Sequence, residues 1–237
     1  MSELTFQSVD QDGAIEEALD GLPGGDSRSD FLRKSVVMGG ALAGGGALFA
    51  ALAGTAHAQS RGDVSILNFA LTLEYLEAAF YKEALARGAL SGDTRRFAQV
   101  VAAHEATHVR TLKSVLGSSA VKRPRFNFRG TTSDQAKFQA TAQALEDTGV
   151  RAYLGQAANI DSDALLAVAG TILTVEGRHA AWIRHIRGES PAPRAFDRPA
   201  SRRQILRIVG QTRFIVTAQR RPAQRRPAQR RQPSFTG

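Results

Sequence analysis

The chain has 237 residues, 43% of them hydrophobic, a formal charge of +9 and no cysteine. That length allows one domain with flanking segments, and the apolar content is enough for a packed core. Without cysteine there are no disulfides, thiol nucleophiles, Fe–S clusters or rubredoxin-type iron sites, although a helical core of this size needs no staple to be exported.

The positive charge is unevenly placed. Residues 1–58 carry −5, residues 59–188 carry +4, residues 189–219 carry +4, and six arginines between 220 and 231 supply the rest. An anionic partner would therefore meet the C-terminal end. Envelope polymers fit this pattern better than a specific nucleic acid.

Residues 1–26 hold seven acids and no Lys or Arg, and Gly21-Leu-Pro-Gly-Gly25 interrupts any helix. They read as an acidic leader. Ser27-Arg-Ser-Asp-Phe-Leu-Arg-Lys34 is followed by an uncharged, Ala- and Gly-rich run over 36–53 and by Ala56-His57-Ala58. A basic cluster, a moderately apolar run and a small-x-small site describe a cleavable signal peptide. It resembles a twin-arginine signal, with Ser29 in place of the second arginine. Residues 1–58 are thus expected to direct the protein to the periplasm or beyond. An uncleaved signal helix serving as an anchor is the alternative.

Four helices are predicted next. Ile66, Leu67, Ala70, Leu71, Leu73, Leu76 and Phe80 follow helical spacing from Val64 to about Arg87. Asp63 is the expected N-cap and Gly88 the expected stop. The second helix is expected over Asp93 to Leu116, the third from Thr132 or Ser133 to about Ala158, and the fourth from Asp161 or Ser162 to about Arg187. The first and third connections are short. The middle one contains Pro124 and Gly130 and is long enough to cross a bundle. The reading is all-α: an antiparallel four-helix bundle over 62–188 with a long crossover between helices 2 and 3. Residues 189–217 form a C-terminal extension with a helix expected from Ser201 to about Val216. Residues 218–237 repeat Arg-Arg-Pro-Ala-Gln and should be extended, because proline at every fifth position forbids helix.

The chemistry lies in two short pieces. Glu105-Ala-Thr-His108 and Glu176-Gly-Arg-His179 are both Glu-x-x-His on a predicted helix, so each pair shares a face. Glu74 precedes the first by 31 residues and Glu146 the second by 30. Tyr81 follows Glu74 by seven, and Tyr153 follows Glu146 by seven. The chain thus repeats a helical hairpin twice. Such a repeat presents four carboxylates and two imidazoles to a pair of metal ions. With neutral imidazoles the set carries −4, which two divalent cations neutralise. Glu77, one turn after Glu74, competes as the first-helix ligand or is a surface carboxylate. The two tyrosines either hydrogen-bond the carboxylates or are core aromatics. His104 is expected at the surface, pointing about 100° away from Glu105. His185 and Trp182 read as packing or helix-end residues.

Leu67-Asn-Phe-Ala-Leu-Thr-Leu-Glu-Tyr-Leu-Glu-Ala-Ala-Phe-Tyr81, the Glu105/His108 pair, Leu145-Glu-Asp-Thr-Gly-Val-Arg-Ala-Tyr-Leu-Gly155 and Val175-Glu-Gly-Arg-His-Ala-Ala181 resemble the ferritin-like domain family. That family includes secreted bacterial proteins and plant desiccation-related proteins. Ala195-Phe-Asp-Arg-Pro199 and the following helix resemble its C-terminal extension. The likeness spans about 62–216. It implies Glu74, Glu105, His108, Glu146, Glu176 and His179 as ligands of two metal ions, iron being expected and manganese or zinc the alternatives. It also favours Glu74 over Glu77. Two functions follow as expectations: oxidation of ferrous iron or handling of dioxygen or peroxide, with an external electron donor, or a structural stress role in which metal at most staples the bundle.

Overall fold

The computed structural model describes residues 60–216. The leader, the signal-like run and the Arg/Pro tail lie outside them. Helix α1 spans Arg61–Arg87, α2 Gly92–Leu116, α3 Gln135–Ala157, α4 Asp163–Ile186 and α5 Arg202–Thr212. Strand β1 (Arg125–Phe126) lies in the crossover and β2 (Ile215–Val216) follows α5. The chain is all-α in character. α1 packs most extensively on α2 and α3 on α4, as the two short connections require.

The helix ends follow local chemistry. Gly88 and Gly117 close α1 and α2 with positive φ, where a Cβ would strain the backbone. Ser60, rather than Asp63, caps α1 by accepting from the Asp63 amide at 2.9 Å. Asp63 has a different task. Buried, it accepts from the Asp161 amide at 2.9 Å and ties the α3–α4 turn to the start of α1. Asp134 and Ser162 cap α3 and α4.

The apolar interior forms two clusters. One gathers Phe80, Tyr81, Phe97 and Phe138, with Ile205 and Val209 of α5 and Phe214 beyond it. The other gathers Leu67, Leu71, Leu112, Tyr153, Leu165 and Ile172. Phe80 stacks on Phe138 with ring centroids 5.1 Å apart, joining α1 to α3. Among the described residues no helix is long and apolar enough to cross a membrane.

The crossover is tied down along its length. Asn68 on α1 donates to the Ser119 carbonyl at 2.9 Å and accepts from the Val121 amide at 2.7 Å. β1 pairs antiparallel with β2, Arg125 opposite Val216. Thr132 then bonds Glu83 of α1 at 2.7 Å. This pairing corrects the helix expected to reach Val216. α5 stops at Thr212, Arg213 turns with φ of 55°, and the β-branched Ile215-Val216 continues as a strand. Phe214, buried on the first cluster, is the reason the chain turns inward there.

The extension returns to α3 at a point that lacks side-chain bulk. The Ala200 amide donates to the Arg151 carbonyl at 3.0 Å. A Cβ on Gly155 would collide with the Ala200 backbone. Gly155→Val should therefore lever the extension off α3, at a cost of about 1–3 kcal/mol typical of overpacking. The expected outcome is a lower melting temperature with faster amide exchange confined to 200–216. Unchanged exchange there would show that the docking is dispensable.

Candidate metal centre

Glu74, Glu105, His108, Glu146, Glu176 and His179 come from four different helices, yet all are at most 8% exposed. They form two groups whose ligand atoms lie within 4.8 Å of one another. One group is Glu74, Glu105, His108 and Glu176; the other is Glu105, Glu146, Glu176 and His179. Glu105 and Glu176 belong to both. The structure thus brings together all six residues that spacing and resemblance singled out.

The internal repeat is visible in the distances. His108 Nδ1 lies 3.1 Å from Glu74 Oε2, and His179 Nδ1 lies 3.1 Å from Glu146 Oε2. The shared carboxylates sit between the imidazoles. Glu105 is 3.3 Å from each Nδ1 through a different oxygen. Glu176 Oε1 is 3.3 Å from His108 Nδ1 and 3.9 Å from His179 Nδ1. The tyrosines cross the repeat. The Tyr153 hydroxyl donates to Glu74 Oε1 at 2.6 Å, and that of Tyr81 donates to Glu146 Oε1. Each hairpin's tyrosine therefore steadies the other hairpin's carboxylate, and each apolar cluster contributes one of the two.

Four helices carrying this donor set around a two-part centre are the arrangement of a known family, and the ferritin-like domain model matches residues 62–189. The chain belongs to the ferritin-like domain family. No curated protein matches it.

Burial and charge dominate the electrostatics of this ferritin-like domain. Burial, reinforced by Glu74, pushes the Glu105 carboxyl well above its usual range; burial and Glu105 do the same to Glu176. Burial would depress His108, but the charge of Glu74 and the hydrogen bonds that His108 donates to the surrounding carboxylates outweigh it and raise its pKa. His179 is raised against burial by Glu146. Burial would raise Glu74, yet His108 and the hydrogen bonds around it bring it below its usual value. Burial, then Glu74, raises Tyr153, which stays a donor. Metal-free, the centre therefore favours the protonated forms of Glu105 and Glu176 and the charged form of His108 beside Glu74.

Those shared carboxylates fit a cation. Glu105 Oε1 and both oxygens of Glu176 are buried without a hydrogen bond. The nearby imidazole nitrogens offer charge at 3.3 Å but not hydrogen-bond geometry. Hard, unpartnered carboxylate oxygens with two imidazoles suit iron, manganese or zinc.

Two residues depart from expectation. Glu77 is no surface carboxylate: it is 3% exposed and buried together with Glu74 rather than in its place. Packing against α3 decides this, since a Cβ on Gly149 would lie 3.5 Å from Glu77 Oε1. His104 is solvent-exposed as expected, but its Nδ1 lies 2.9 Å from His179 Nε2 and the two rings stack. Burial, then the neighbouring His179, lowers its pKa and so favours the neutral ring. If His179 uses Nδ1 for a metal, its Nε2–H donates to His104. Spacing within α2 puts His104 one turn from His108 but carries no sign of this contact with α4.

Two outcomes follow. The raised groups bind protons more tightly folded than unfolded, so without metal stability declines as pH rises past the ordinary values, 4.5 for Glu105 and Glu176 and 6.5 for the histidines. Glu74 acts oppositely, but only as pH falls through and below 4.5. The melting temperature of metal-free protein should drop from about pH 5 to about pH 8, and added metal should flatten that slope. A flat metal-free profile would contradict the proton assignment. His104→Ala should weaken metal binding about 10- to 100-fold, as loss of an outer partner of a ligating histidine does. His104→Gln, which retains an acceptor, should recover part of it in the same metal titration.

Proposed function

We propose that this ferritin-like domain holds two metal ions, iron foremost, and that the filled centre oxidises ferrous iron or handles dioxygen or peroxide. The observation that carries the reading is the pair of four-residue clusters joined through Glu105 and Glu176. Glu74 with His108 would hold one ion and Glu146 with His179 the other, while Glu105 and Glu176 would serve both. Two ferrous ions supply one electron each to a small oxidant. The chain's own part is positional. Tyr153 and Tyr81 hold the two outer carboxylates, His104 orients His179, and the apolar clusters exclude water. The burial of all six residues suits a diatomic or similarly small reactant better than a bulky substrate. Sustained turnover would draw on an external electron donor, because the chain has no cysteine to build a rubredoxin module.

The same burial favours a second reading, in which metal staples the bundle of a stress protein and does no chemistry. The two differ in one respect: the structural role survives replacement of iron by zinc, and the oxidative role does not. The leader's basic cluster, apolar run and small-x-small site support export, and we place either role in the periplasm or outside the cell.

The test is the metal content of mature protein purified from the cell envelope, beside a Glu105→Ala/Glu176→Ala double variant. About two iron or manganese per chain, lost in the variant, is the expected result and opens the way to oxidant-consumption assays. Metal-free protein and an equally stable variant would overturn the metal centre. Protein confined to the cytoplasm would overturn export.

A further inference from the structure

Glu77 stands outside both clusters but faces them. It follows Glu74 by three residues on α1, so the two project from one side of that helix. Its Oε2 is buried and has no hydrogen-bond partner. The internal repeat makes its surroundings more telling. The position equivalent to Glu77, three residues after Glu146, is Gly149. A Cβ there would lie 2.5 Å from Glu176 Oε2 and 3.5 Å from Glu77 Oε1. Both carboxylates therefore crowd one spot that only glycine leaves open. Gly149 sits inside α3 with no left-handed φ to explain it. Glycine there weakens the helix relative to alanine, and a buried carboxyl oxygen without a hydrogen-bond partner is costly as well. The chain retains both, on opposite sides of one space beside Glu176.

We propose that Glu77 serves the centre as a fifth carboxylate from outside the two ligand clusters, and that its charge biases the centre toward a metal pair of total charge above +4. The inference rests on the metal-centre reading above. Four carboxylates and two neutral imidazoles balance two divalent ions. A fifth carboxylate beside them, ionised when metal is bound, brings the buried charge to −5, which one divalent and one trivalent ion balance. In a water-excluded site a charge left uncompensated is costly, so the surroundings of the donor set discriminate by metal charge. The asymmetry lies in one place: α1 supplies the extra charge, and α3 supplies the room for it.

The experiment is a competition between redox-inert ions. Metal-free full-length protein is equilibrated with Zn2+ and Ga3+, both buffered by nitrilotriacetate, and bound metal is measured by plasma mass spectrometry. Wild type should hold a mixed pair. Glu77→Gln, which preserves shape and removes the charge, should shift the bound Ga3+ to Zn2+ ratio toward zinc by about tenfold or more, at least the effect of losing an outer partner. Glu77→Asp, which keeps the charge but withdraws it by one methylene, should fall between. An unchanged ratio in Glu77→Gln, with both ions still bound, would overturn the role of Glu77 and leave the metal centre standing. Failure of wild type to bind either ion would overturn the centre itself, and this inference with it.

Discussion

Carboxylates converging in a dry core are the constraint on which the rest of this structure depends. At an effective dielectric of about 20, two ionised carboxylates separated by the 4.8 Å limit of these clusters repel by about 3.5 kcal/mol. That exceeds the net worth of an ordinary hydrogen bond, about 1 kcal/mol. In the metal-free domain this repulsion and burial push Glu105 and Glu176 toward their protonated forms, and the carboxylates push His108 and His179 toward their charged forms. A pair of cations would offset the repulsion more completely, because unpartnered oxygens already point inward. Stability and chemistry are therefore coupled at one point. Metal that loaded the centre would also hold the bundle.

The site links the two hairpins more directly than the apolar packing does. Tyr81, in one cluster, reaches Glu146 on the other hairpin, and Tyr153, in the second cluster, reaches Glu74. These crossed bonds add to the Phe80–Phe138 stack in tying α1 to α3. The two-fold pattern is broken at Glu77 and Gly149, and again at His104, which backs His179 from the solvent side. The two halves of the centre are thus similar in ligand type and different in surroundings.

The C-terminal extension completes the fold away from the site. Ile205, Val209 and Phe214 close the first apolar cluster, and β2 fastens the crossover through β1. The outer side of this segment is basic, with Arg202, Arg203 and Arg207 exposed, and Phe196 stands 84% exposed just before it. The interior and the charged exterior of the domain are therefore well separated.

The sequence by itself determined the helices, the two Glu-x-x-His pairs and the matching upstream glutamates. Helical period alone puts residues three and seven apart on one face, whatever packs against that face. It also marked Gly88, whose backbone conformation is a local matter. It could not settle Glu77, because α1 is buried almost all round and its own periodicity cannot say which neighbour each residue meets. The missing Cβ of Gly149, 72 residues later in sequence, brought Glu77 inside. His104 lies at the surface as expected, but its contact with His179 could not be seen in the sequence, because that partner lies on another helix. The end of α5 was likewise decided by a strand partner in the distant crossover. Side-chain spacing along one helix is short-range information, whereas burial and partnership depend on which surfaces the folded chain brings together.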